Sequence, residues 1–203
     1  MKSQPELLRM DIARNIDWST ISYAIDFYET LGYQYIEVPW IVPVPVNNLT
    51  CPYEDLMMKV EGTNTALVGS AEQSFLKMEM DGLLLPKRKY VACTPCFRVE
   101  DSNDGWHFPT FLKVELYRTD ETDPITLYQT IDDAQAFFQR QLEFQCGIRH
   151  KQKLTRQTTP EGIDLMLNGI EIGSYGIRGM ASFRWVYGTG VALPRFTQAM
   201  IYG

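Results

Sequence analysis

From Asp17 onward, apolar and aromatic residues recur at helical spacing through Ile21, Ala24, Ile25, Tyr28 and Leu31. Asp17 suits an N-cap and Gly32 a C′ position, so the pattern predicts a helix between them. The period then changes. Tyr33 to Val38 alternates, is rich in β-formers and stops at Pro39, which predicts a strand. The stretch 40–53, with Pro43, Pro45 and Pro52, reads as an extended loop. Ser70 to Leu83 reads as a helix with Phe75, Met78 and Leu83 turned inward. Tyr90–Glu100 and Phe111–Arg118 are the clearest strands, parted by the polar segment 101–110. Ile125 to Phe144 predicts a long amphipathic helix with Leu127, Ile131, Ala134, Phe138 and Leu142 on its inner side. Two alternating runs around Asn168-Gly169 carry the hairpin signal. Val186 to Leu193 reads as a last strand, and Pro194 suits the start of a final helix. Hairpins with segregated helices imply an α+β fold, an antiparallel sheet flanked by helices on one face.

The chain has 203 residues, 45% hydrophobic and 22% charged, which fits one soluble globular domain over 1–203 and excludes a disordered or collagenous chain. It has no repeat, no low-complexity segment and no apolar run of membrane-spanning length. The N-terminal residues lack the apolar core of a secretory signal, so cytoplasmic residence without a membrane is the expectation. Reduced thiols are then expected for Cys51, Cys93, Cys96 and Cys146. The net charge of −6 argues against a chain that grips a large polyanion alone.

Chemistry concentrates on the two central strands. Alternation puts Phe97, Val99, Leu112, Val114 and Leu116 on one face. Arg98, Glu100, Phe111, Lys113 and Glu115 share the other, with His107 in the loop above. Arginine binds phosphate bidentately and phenylalanine stacks on a flat heterocycle. The bland alternative is a solvated face with cross-strand ion pairs. The second hairpin offers Glu171 and Ser174, two oxygen donors for a hard cation such as Mg²⁺. Simple alternation would separate them, so a turn or bulge at Gly173 is required. Cys93-Thr94-Pro95-Cys96 has the CxxC form, but it lies in a strand and lacks a second ligand pair, so the cysteines read as structural. The basic stretch Arg149–Lys153, and the lesser one at Lys87–Lys89, read as solvated surface.

These residues resemble the catalytic domain of class II aminoacyl-tRNA synthetases over roughly 17–203. The helix, Leu31-Gly32-Tyr33, strand and Pro39 resemble the first motif of that class. Phe97-Arg98-Val99-Glu100 followed by His107, Phe111 and Glu115 at four-residue steps resembles the second. Gly188-Thr189-Gly190 through Pro194-Arg195 resembles the third. Tyr90 to Arg98, Lys113 to Leu116 and Ser70-Ala71-Glu72 are similar to seryl enzymes. Asp164 to Arg178 is more like the aspartyl and asparaginyl branch.

The resemblance implies ATP-dependent activation of an amino acid as its adenylate. Arg98 would hold the α-phosphate, His107 would contact the γ-phosphate where the family more often has arginine, and Phe111 and Arg195 would sandwich adenine with Glu100 near its amino group. Arg98 and Arg195 would be the catalytic cations. Glu171 and Ser174 would bind Mg²⁺. Ser70 and Glu72 would receive the substrate ammonium, and Glu115 with Thr189 would lie near its side chain. Glu115 suits a hydroxyl or amine there, whereas Arg178, if it faces the pocket, suits a carboxylate, and the amino acid stays open. A homodimer through 17–39 is implied as well. The loop in the second motif is short, only 16 residues separate Arg178 from Arg195, and neither an N-terminal coiled-coil arm nor an anticodon-binding domain is expected. A stand-alone paralogue is therefore expected, passing the acyl group to a carrier protein, a small molecule or tRNA. The alternatives are a non-catalytic binding or regulatory subunit and a minimal tRNA-charging enzyme.

Overall fold

Asp17 accepts hydrogen bonds from the amides of Ser19 and Thr20 and so starts helix α1, Trp18–Thr30. The computed structural model describes residues 15–51, 53–99, 106–119, 122–147 and 152–202. The chain continues through β1 (Gln34–Tyr35), β2 (Ile41–Pro43), α2 (Val44–Asn47), β3 (Thr65–Leu67) and α3 (Ala71–Met80). Then follow β4 (Lys89–Phe97), β5 (Thr110–Arg118) and the long α4 (Pro124–Cys146). The last elements are β6 (Leu154–Thr159), β7 (Gly162–Leu167), β8 (Ile170–Gly179), β9 (Arg184–Leu193) and α5 (Arg195–Tyr202).

Seven strands form one sheet in the order β1-β4-β5-β9-β8-β7-β6, antiparallel except for β1, which runs parallel to β4. Asn168 and Gly169 both adopt positive φ, the requirement of the tight turn their sequence signals. Residues of α1, α4 and α5 pack with Val91, Val114, Leu116, Leu165 and Val191 into the larger core. On the other face α3 packs Phe75 and Leu76 against Tyr90, Ala92, Tyr117, Trp185 and Tyr187. Helices thus flank both faces, and α3 covers only part of its face, leaving the rest for cavities. A single-face arrangement was the expectation; alternation identifies the apolar face, but Tyr90, Ala92 and Tyr117 supply a second apolar surface beside the charged positions.

Three local expectations change. Leu83 is 65% exposed, because α3 stops at Met80 and Gly82 turns the chain with positive φ; Leu76 takes the inward place instead. The stretch 40–53 is not merely extended, since Pro43 closes β2 and Pro45 lies in the first turn of α2, where a missing N–H costs nothing. The polar β6 pairs with β7 at the sheet edge and has no apolar alternation to announce it. The basic stretch falls largely outside the described residues.

Two β-bulges break the pleat. Val114 pairs with Val191 but Glu115 with Thr189, which leaves Gly190 as the extra residue of β9. Leu165 pairs with Gly173 but Met166 with Glu171, which leaves Ile172 extra on β8. Gly190 is held tightly: the Tyr28 hydroxyl donates to its carbonyl at 3.0 Å. A Cβ there would lie 2.9 Å from both the Tyr28 ring and the Val114 side chain. Gly190→Ala is therefore expected to cost about 1–3 kcal/mol by overpacking, and Tyr28→Phe about 1 kcal/mol by loss of the hydrogen bond. Urea unfolding followed by circular dichroism reads both; an alanine variant as stable as the parent would refute the packing account.

Candidate active site

The bulges decide which side chains meet. With Ile172 extra, Glu171 and Ser174 come to one face although they are three residues apart; with Gly190 extra, so do Thr189 and Ala192. All four line a cavity of about 230 Å³ over β5, β8 and β9, together with Phe111 and Lys113. Its walls include Arg98, which follows β4, His107 before β5, and Arg195 at the start of α5. The Arg98 guanidinium lies 5.2 Å from the centre of the Phe111 ring, and its Nη2 donates to the Gly69 carbonyl at 3.4 Å. Arg195 Nη2 donates to the Trp106 carbonyl at 3.0 Å. A cation stacked on an aromatic beside an open volume is a ready seat for an anionic heterocycle.

A second cavity of about 440 Å³ lies on the α3 side, and Arg98, Lys113 and Ser174 line both. Ser70 and Glu72 at the start of α3 face it, as do Arg178 and Tyr187 from the sheet. Ser70 caps α3 by accepting from the Glu72 amide, and its hydroxyl donates to Glu115 Oε2 at 2.6 Å. Glu115 is fully buried and lines neither cavity. It sits beneath Ser70 and the Lys113 ammonium, which is 2.9 Å from its Oε2 and 3.2 Å from its Oε1. Thr189 faces the first cavity, not the second, and its hydroxyl accepts from the Ser174 amide. Glu100 lies outside the described residues.

Glu72 is also buried. Arg178 Nη1 donates to its Oε2 at 2.6 Å and Trp185 Nε1 to its Oε1 at 2.7 Å. Burial pushes this carboxyl above the usual range while Arg178 pulls it part of the way back. Arg178 in turn reaches Glu161 at 3.1 Å and stacks 4.1 Å from the centre of the Tyr187 ring.

Glu171 and Ser174 supply two hard oxygens to one cavity wall, which fits a Mg²⁺ ion that keeps its remaining ligands as water and phosphate. Among the described residues no three His, Cys, Asp or Glu side chains group as a metal site. Cys93 and Cys96, an odd step apart on β4, fall on opposite faces, and burial raises their thiols to about 11 and about 12. Neither is a thiolate at neutral pH, in keeping with a structural role. Among the described residues no helix is long and apolar enough to cross a membrane.

No family model matches the chain. The serine–tRNA ligase of Encephalitozoon cuniculi (strain GB-M1) is 34% identical over 89 residues, 41% of this chain and 20% of that protein. That of Cenarchaeum symbiosum (strain A) is 27% identical over 96 residues, 44% of this chain and 23% of that protein. The match thus spans about a fifth of the length of these relatives. Among solved structures, Desulfitobacterium hafniense PylSc, a pyrrolysyl tRNA synthetase, superposes with a TM-score of 0.68 at 16% identity, over 91% of this chain and 66% of that one. The chain is related to the class II aminoacyl-tRNA synthetases and has their catalytic-domain fold. Seryl-tRNA synthetase from Pyrococcus horikoshii, solved in complex with ATP, gives a TM-score of 0.64 at 18% identity, over 96% of this chain and 51% of its own.

Within this synthetase fold, period and motif leave Trp185 and Glu161 unmarked and give Lys113 a face but no task. Trp185 was accessible in principle, because the β8–β9 hairpin sets it opposite Arg178. Glu161 lies in the turn before β7, where no periodicity speaks. The Glu72–Arg178 pair yields a test. In Arg178→Met the carboxyl stays buried without its cation, and its folded pKa rises further above the unfolded value. Protonated Glu72 then favours the folded state, so stability falls as pH rises from the unfolded carboxyl value through the raised folded pKa. The variant is expected to lose about 3 kcal/mol at pH 8 and clearly less at pH 5. Urea titrations at the two pH values measure this; a deficit that does not depend on pH would refute it.

Proposed function

We propose that this chain activates an amino acid with ATP, forming an aminoacyl-adenylate and pyrophosphate. The observation that carries the reading is one cavity that joins Arg98, Phe111, His107, Arg195, Glu171 and Ser174 and meets a second at Arg98, Lys113 and Ser174. ATP fits the first: adenine against Phe111 and Arg195, the α-phosphate at Arg98, the γ-phosphate at His107. Glu171 and Ser174 would hold Mg²⁺, which neutralises phosphate charge when bound. The amino acid fits the second, with its ammonium toward Ser70 and Glu72. A substrate carboxylate oxygen then attacks the α-phosphorus, and the bond to the bridging oxygen breaks with its electrons leaving on pyrophosphate. No protein base is required, because the nucleophile is already an anion; what the residues supply is alignment and charge stabilisation.

The chain is read as a single catalytic unit, and the acceptor of the acyl group is proposed to be something other than a tRNA bound by this chain alone, in keeping with its net charge of −6. A second reading, a module that binds an amino acid without activating it, is favoured by one observation: both Glu72 oxygens already have partners within the protein.

Amino-acid-dependent exchange of labelled pyrophosphate into ATP separates the two. Exchange is expected with Mg²⁺ and at least one amino acid. Arg98→Ala should lower its rate by about a hundredfold or more, and Phe111→Ala should raise the KM for ATP by about tenfold through lost stacking. Absence of exchange with every amino acid would leave the binding module standing. The same reading implies a two-fold dimer through 17–39, a segment in which Trp18 is 66% exposed. Sedimentation velocity at micromolar concentration should find twice the chain mass, and Trp18→Asp should shift it to monomer.

A further inference from the structure

Among the described residues, the charges that line the second cavity and the Glu115 carboxylate beneath it balance before any substrate arrives. We infer that this cavity selects an amino acid whose side chain carries no net charge, an inference that rests on reading it as the amino-acid subsite. Among the described residues three cations and two carboxylates line it, Arg98, Lys113 and Arg178 against Glu72 and Glu161, and a third carboxylate, Glu115, is buried beneath Lys113. Each has an assigned partner or an assigned task. Glu115 is spent on Lys113 and Ser70 and reaches neither cavity wall, so no substrate amine meets it. Arg178 is spent on Glu72 and Glu161 and lies flat on Tyr187, so no substrate carboxylate takes its fork without breaking two ion pairs.

The remaining imbalance matches a zwitterion. Glu72, Glu161 and Arg178 together leave one negative charge, which the α-ammonium of the substrate satisfies. Lys113 with Glu115 leaves none, and Arg98 serves the carboxylate and the phosphate it attacks. Among these residues nothing is left over for a charged side chain. A net charge there would sit among compensated pairs, facing a like charge whichever its sign.

The rest of the wall agrees. Beyond Ser70 the cavity is bounded by Asn47, Thr50, Cys51 and Met57, none of them charged. The Asn47 amide is engaged with the Leu67 carbonyl, and the Thr50 hydroxyl is buried with no hydrogen-bond partner among the described residues.

Isosteric pairs isolate charge from shape. Pyrophosphate exchange is to be measured with asparagine against aspartate, glutamine against glutamate, and norleucine against lysine. Each neutral member is expected to exceed its charged counterpart in kcat/KM by at least about a hundredfold. An aspartate, glutamate or lysine that equals or exceeds its isostere overturns the inference and leaves the activation reading intact. If no amino acid supports exchange, the activation reading fails, and calorimetric binding of the same six compounds decides. Neutral members binding more tightly sustains the inference; charged members binding more tightly, or none binding, overturns it. Lys113→Met gives an independent check, because it strips Glu115 of its counter-ion. The lysine-to-norleucine ratio should rise at least about tenfold while the aspartate-to-asparagine ratio does not rise. Unchanged ratios in a folded variant would count against charge compensation as the source of selectivity.

Discussion

A strand gives every second side chain to a given face, and a cavity assembled only from such positions inherits a fixed spacing. In this sheet that spacing is broken twice, at Gly190 and at Ile172, and most of the candidate site depends on the two breaks. Without the first, Thr189 and Ala192 would face opposite ways. Without the second, Ser174 would leave Glu171 and enter the larger core. Each bulge is paired with a device that holds it. Tyr28 reaches from α1 to the Gly190 carbonyl, and Ile172 is buried among core residues, so neither slip relaxes without exposing apolar surface or orphaning a polar group.

Among the described residues two cavities occupy this face, and α3 shapes the second. α3 covers the β4–β5 end with Phe75 and Leu76, and its N-terminal turn brings Ser70 and Glu72 against the sheet. Glu72 is tied to Arg178 of β8 and Trp185 of β9, so the helix start is fixed to the two strands that carry the bulges. A buried ion pair of this kind is weak evidence for stability, since desolvation offsets much of the attraction. Its value is geometric: it fixes how far the N-terminus of α3 stands from Lys113 and Ser174, where the cavities meet.

Much of this was legible in the chain. The N-cap Asp17, the Asn168-Gly169 turn and the common face of Arg98, Phe111 and Lys113 follow from local chemistry and period, and β4, β5 and α4 lie close to the predicted ranges. The need for a bulge between Glu171 and Ser174 followed from their odd spacing, although the slip falls at Ile172 beside the glycine expected to carry it. What stayed hidden was tertiary. Alternation shows that Glu115 and Lys113 share a face, but not that the lysine lies over the carboxylate and seals it. The pairing of Glu72 with Arg178 spans more than a hundred residues of sequence, and no period reports contact at that range.

The same tertiary fact bears on how the proposed reaction would be driven. An anionic carboxylate must approach an anionic phosphate, and in water their repulsion and hydration oppose it. Where the cavities meet, Arg98 and Lys113 present two cations, but they are not equivalent. Lys113 is committed to Glu115 beneath it, whereas among the described residues Arg98 rests on the Phe111 ring with a long hydrogen bond to the Gly69 carbonyl. Under the proposed reaction, charge developing at the phosphorus would be met chiefly by Arg98, which has no ion pair among the described residues to surrender as it turns. A preorganised cation that need not break an ion pair to act costs least at the moment of bond exchange. In the proposed reaction the burial of Glu115 would have a purpose beyond packing: it would hold Lys113 in place and leave Arg98, which lines both cavities, as the cation that answers the developing charge.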